Sequence, residues 1–167
     1  MVVVHDANIL IDLVKLELEP YFFLLDMEFH TTNLILEELT EVQQNALLPY
    51  IKEGCLAIHT CTVDDLIHIQ RLATEITSLS TQDCSAWWLA DTLKGILLTG
   101  DNKLRKTAKE RHLPVHGHLW LFDRMVDAAL LSKKQAAEWL YQLCTHVNPK
   151  LGLPKAEIDR RTRDWLP

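Results

Sequence analysis

Four acidic side chains stand where a chain of this kind could do metal chemistry. Asp6 follows the apolar run Val2-Val3-Val4-His5, and Asp101 follows Ile96-Leu97-Leu98-Thr99-Gly100. Each therefore sits where a strand gives way to a helix. In an open α/β sheet that carboxyl edge is where ligands bind. Glu38 lies in the segment LILEEL after a second strand-like run, and Asp83 lies in STQDCSAWWLA, in the first turn of the helix before the Asp101 strand. Carboxylates gathered into one pocket repel by on the order of 4 kcal/mol per pair at ~4 Å and an effective dielectric of 20. Protons or cations must relieve that repulsion. Oxygen donors without His or Cys suit Mg²⁺ or Mn²⁺, and such ions assist phosphodiester hydrolysis.

The elements that position these acids are readable from periodicity. Strands are expected at Val2–His5, Glu28–Thr32, Cys55–Thr60, Ile96–Leu98 and Pro114–His116, with helices between them. The first helix should run to about Leu18. A helix carrying Leu34, Ile35, Leu36 and Leu39 should hold Glu38 about one turn from its start, then continue or restart through Ile51. Thr62 and Ser80 or Thr81 cap the next two helices. After Asp101 comes a basic helix to about His112, then helices at Leu119–Leu131, from Ser132 to about Cys144, and over Lys155–Leu166. Strands alternating with helices imply a central parallel sheet with helices on both faces. Gly100 is expected to serve the sharp exit from its strand. Residues 1–131 form the expected domain, with 132–167 a helical extension packed on it or on a partner.

Composition narrows the classes. The chain has 167 residues, 48% hydrophobic and 24% charged, which suits a folded domain and excludes a disordered or fibrous one. No apolar run reaches the ~20 residues of a membrane helix, and the Met1–Asp6 start does not read as a leader, so a cytoplasmic protein is expected. A net charge of −6 argues against a generic nucleic-acid-coating protein. It does not argue against an enzyme whose acids bind cations. Lys103, Arg105, Lys106, Lys109 and Arg111 follow Asp101 closely, the first three being candidates for holding phosphates. Cys55, Cys61, Cys84 and Cys144 form no C-x-x-C pair and read as buried reduced thiols. His112, His116 and His118 lack the partners of a tetrahedral zinc set.

The segments VVVHDAN, LILEEL, STQDCSAWWLA and LLTGDNKLRKTA, with the trailing PVHGHLWLFDRMV, resemble the signature stretches of PIN-domain ribonucleases over roughly Val2 to Leu131. The resemblance implies a three-layer α/β/α sandwich with Asp6, Glu38, Asp83 and Asp101 as the catalytic, metal-binding acids. It also implies Mg²⁺ or Mn²⁺ as cofactor, Asn8 and Thr99 as supporting polar residues, and RNA as substrate. Position 7 is Ala where such proteins often carry Thr or Ser, and Glu37 leaves the register of the second acid open by one. Many small members are toxins restrained by an antitoxin, and homodimers are common. The rival expectation is a non-catalytic module that binds RNA or a protein.

Overall fold

The computed structural model describes residues 1–166; Pro167, the last residue of the expected extension, lies outside them. Five strands form one sheet in the order β3-β2-β1-β4-β5, with every neighbouring pair parallel. They are β1 (Val2–His5), β2 (Glu28–Thr32), β3 (Leu56–His59), β4 (Ile96–Leu98) and β5 (Val115–His116). Val3 and Val4 in the central strand are fully buried, as a parallel sheet covered on both faces requires.

The strand order matters for function. From β1 the chain moves outward through β2 to β3, then crosses back to place β4 on the other side of β1. The direction of winding reverses between β1 and β4, and a crevice opens at such a switch point beyond the strand ends. Asp6 and Asp101 leave the sheet at that place. Right-handed crossovers put the helices of the two windings on opposite faces, which makes the molecule an α/β/α sandwich.

The helices on the way out are α1 (Ala7–Leu16), α2 (Glu19–Phe22), α3 (Asn33–Leu36) and α4 (Glu41–Lys52). Those on the way back are α5 (Val63–Glu75) and α6 (Thr81–Thr92), and α6 packs on β1, β2 and β4. Then follow α7 (Asn102–Glu110), α8 (His118–Asp127), α9 (Lys133–Gln142), a π-helical turn at Leu143–Val147 and α10 (Lys155–Trp165).

Several boundaries differ from the periodicity. Helix α1 stops at Leu16 because Glu17 turns left-handed at φ 55°. The expected helix through Leu39 ends at Leu36, since Thr40 and Gln43 form a capping box that starts α4 afresh. Glu38 consequently lies in the turn between α3 and α4, outside either helix, with its N–H on the Ile35 carbonyl at 3.1 Å. Pro49 is accommodated inside α4. Helix α8 ends at Asp127, where Ala129 adopts φ 55°. In the C-terminal stretch, Ala136, Leu140, Leu143 and Trp165 are buried, Trp139 and Ile158 pack against the core in part, and Leu166 is exposed.

Candidate active site

Asp6 is the N-cap of α1 and is almost wholly buried, 1% exposed, at the end of the central strand. Its backbone N–H donates to the Leu98 carbonyl at 3.0 Å, which ties the β1 exit to β4. Its carboxylate accepts three hydrogen bonds: from Ala7 N–H at 2.7 Å, the Thr99 hydroxyl at 2.7 Å and the Asn8 amide at 3.2 Å. Those donors favour the charged form. Burial outweighs them and, with the negative charge of Asp83 adding to it, holds the Asp6 carboxyl up at about 6.

Asp83 enters the same neighbourhood from α6. The Ser80 capping box fixes it: Asp83 N–H donates to Ser80 Oγ at 3.0 Å, and its Oδ2 accepts from Ser80 N–H at 2.9 Å. One residue pair further on, Ser85 Oγ lies 2.8 Å from Thr32 Oγ1, and Thr32 also caps α3. That contact pins the end of β2 to α6. Glu38 completes the group from the turn after α3. Its carboxyl is pushed up first by burial, then by Asp6 and by Asp83. Glu37 bears instead on Cys61, whose thiol is raised by burial first and by Glu37 as the smallest of its causes. The register therefore favours Glu38 as the acid facing the others.

Asp101 has a different setting. It caps α7, its Oδ1 accepting from Leu104 N–H at 2.7 Å, and it is half-buried. Its backbone N–H donates to Thr99 Oγ1 at 2.9 Å, so one hydroxyl links the Asp101 backbone to the Asp6 carboxylate. Its side chain lines a surface depression with Asn8 and Lys103. Asp6, Glu38 and Asp83 thus press on one another electrostatically, while Asp101 joins them through Thr99 at the same sheet edge.

A family profile described as PIN domain matches residues 2–149 of this chain. The chain belongs to the PIN-domain family. PIN domains are in general nuclease-like modules that bind RNA and use divalent metals. No curated protein matches the sequence. No helix among the described residues is long and apolar enough to cross a membrane.

The donor set of this PIN domain fits a hard divalent cation in kind, being all carboxylate and internally repulsive. Among the described residues no three His, Cys, Asp or Glu side chains close into a ready cage. A Mg²⁺-type ion tolerates that openness, since it usually keeps several waters and takes only one or two carboxylates.

The basic residues divide. Lys103 and Lys106 are exposed, the latter 4.0 Å from Glu110. Arg105 is half-buried: its Nη2 donates to the Thr99 carbonyl at 2.7 Å and lies where a Cβ on Gly117 would fall. It braces the β4 exit.

Sequence reasoning missed a buried polar node behind Asp101. His118 Nε2 lies 2.9 Å from Asp12 Oδ2, and Asn148 Nδ2 donates to the same oxygen at 2.9 Å. Asp12 and His118 are 3% and 2% exposed. The His118 ring also rests on Gly100, where a Cβ would stand 2.7 Å from its Cε1. Gly100 is thus required for space. The one signal in the sequence was polarity within apolar runs, Asp12 inside NILIDLV and His118 inside HGHLWLF.

Proposed function

We propose that this PIN domain is an endoribonuclease that hydrolyses RNA phosphodiester bonds with Mg²⁺ or Mn²⁺. The observation that carries the reading is the mutual upward pressure among Asp6, Glu38 and Asp83 at the β1/β4 switch point. Asp6, Glu38, Asp83 and Asp101 would hold the cation, which when bound supplies an activated water and charge for the leaving oxygen. Asn8 and Thr99 orient the Asp6 carboxylate by donating to it. Lys103 and Lys106 meet RNA phosphates, with Arg105 contributing what its bond to Thr99 leaves free. Residues 1–131 would form the nuclease unit and 132–167 its extension.

The test is cleavage of single-stranded RNA by the full chain with Mg²⁺ or Mn²⁺, compared with Asp6→Asn and Asp83→Asn. Loss in both variants supports the reading, and undiminished cleavage in either refutes it. The openness of the carboxylates favours one rival, a non-catalytic module binding RNA or a protein. Calorimetric titration that finds no Mn²⁺ binding, with RNA binding kept after all four acids are neutralised, would select that rival. The narrower reading is a cytoplasmic toxin whose antitoxin covers the acids, as a monomer or homodimer. Growth arrest on expression, relieved by the neighbouring reading frame, tests it.

A further inference from the structure

The depression beside Asp101 is built by two distant stretches of chain. Asn8, Asp101 and Lys103 come from the starts of α1 and α7, whereas Asn148 and Lys150 come from the segment after the π-helical turn. It encloses about 330 Å³, the lower end of the range for ligand pockets and sufficient for part of a nucleotide. Asn8 also donates to Asp6, so a single side chain separates this hollow from the buried acid. Asp101 is the one acid on its wall.

The far wall is held by several contacts. Asn148 N–H donates to the Leu143 carbonyl at 2.8 Å, and its side chain donates to buried Asp12. Leu151 N–H donates to the Asn148 carbonyl at 3.0 Å, and the buried Leu151 side chain packs near Gly100. Lys150 lies between these two anchors, with a fixed backbone and an exposed side chain. Among the described residues neither Lys103 nor Lys150 forms an ion pair. In a chain of net charge −6, two unpaired ammonium groups flanking one hollow at the acid edge suit an anion.

We propose that this hollow is a phosphate subsite for the RNA strand next to the cleaved bond, with Lys150 and Lys103 as its cations and Asn148 as the residue that positions Lys150. The inference rests on the nuclease reading above. It gives the C-terminal segment a direct part in substrate binding. Two separated cations gripping successive phosphates set the path of the strand across the acids and carry no base preference.

The experiment measures binding of a short fluorescein-labelled single-stranded RNA to the full chain in an Asp6→Asn background, so that the strand stays intact, over a range of salt. Lys150→Ala should weaken binding about fivefold and reduce the salt slope by about 0.7, the value for one phosphate contact on a single strand. Lys134→Ala, an equal charge loss on the exposed face of α9, should change neither. Thermal melts of both variants should match their parent. If Lys150→Ala tracks Lys134→Ala while the wild-type chain cleaves RNA, the subsite is overturned and the nuclease reading stands. If the wild type binds RNA without cleaving it, the nuclease reading falls, and the Lys150 comparison still decides the subsite. If it neither binds nor cleaves, both fall.

Discussion

The exits of β1 and β4 follow one sequence pattern and reach two different chemical states. Each is an apolar run ending in an aspartate that caps a helix from an extended backbone, Asp6 at ψ 157° and Asp101 at ψ 124°. Asp101 does ordinary capping work, taking the N–H three residues on while remaining half in solvent. Asp6 is roofed by Thr99, Asn8 and Ala7, and burial raises its carboxyl to about 6 in spite of them. The difference teaches that burial, and not the capping pattern, turns an aspartate into a group that needs a cation. The β1 exit stores repulsion; the β4 exit spreads its charge onto a helix start and a solvated hollow.

The largest expected effect tests whether the β4 exit depends on its buried support. Asp12→Ala leaves His118 without its buried partner and frees Asn148, so folding stability should fall by on the order of 3 kcal/mol in a chemical-denaturation experiment. An unchanged midpoint would show that packing alone holds the Gly100 turn. Next, Asp6→Asn should lower cleavage by about a hundredfold or more, on the order of 3 kcal/mol of barrier. Steady-state assays in Mn²⁺ read this, and a smaller loss than for Asp101→Asn would reverse the ranking of the two exits.

The same substitution should act oppositely on stability when EDTA keeps the protein free of metal. Folding raises the Asp6 pKa from 3.8 to about 6, so its contribution is fully present below about pH 4 and is lost as pH climbs through 6, a change of about 3 kcal/mol. Neighbouring His5 works the other way. It is fully buried, neither ring nitrogen has a hydrogen-bond partner, and burial, helped by His30, lowers its pKa from 6.5 to about 3. Its contribution is present above pH 6.5 and is lost as pH falls through that value towards 3. Between about pH 4 and 6 the two groups offset each other. Asp6→Asn should therefore melt higher than wild type at pH 7.5 and lose stability more steeply on acidification. Parallel pH profiles for the two proteins would refute the caged state of Asp6. The smallest effect belongs to the other exit: Asp101→Ala should cost about 1 kcal/mol as a lost helix cap, with Asp101→Asn nearly neutral in the same melts.

The strands, their parallel order of elements and the aspartates that end β1 and β4 were legible in the sequence, because buried parallel strands are continuous apolar runs and Asp before a helical period marks a cap. So were the Thr62 and Ser80 capping boxes, the latter placing Asp83. The turn holding Glu38 was misread as helix, since Leu39 continued the apolar spacing and the box between Thr40 and Gln43 went unnoticed. Family resemblance named Asn8 and Thr99, while only geometry shows that both donate to Asp6. The Asp12, His118 and Asn148 node was not legible. Its members lie up to 136 positions apart, and no local periodicity encodes a contact of that separation.

The π-helical turn at Leu143–Val147 carries a consequence of its own. Its five-residue ring, closed by Asn148 N–H on the Leu143 carbonyl, winds the chain one residue slower than an α-helix would. Excising any single residue there would restore ordinary winding and swing the following chain by about 100°. Asn148 would leave Asp12, and Lys150 would point away from the acid edge, with every acidic side chain untouched. The phase of this one turn is therefore a dial on substrate grip, adjustable by chain length alone and independent of the chemistry it serves.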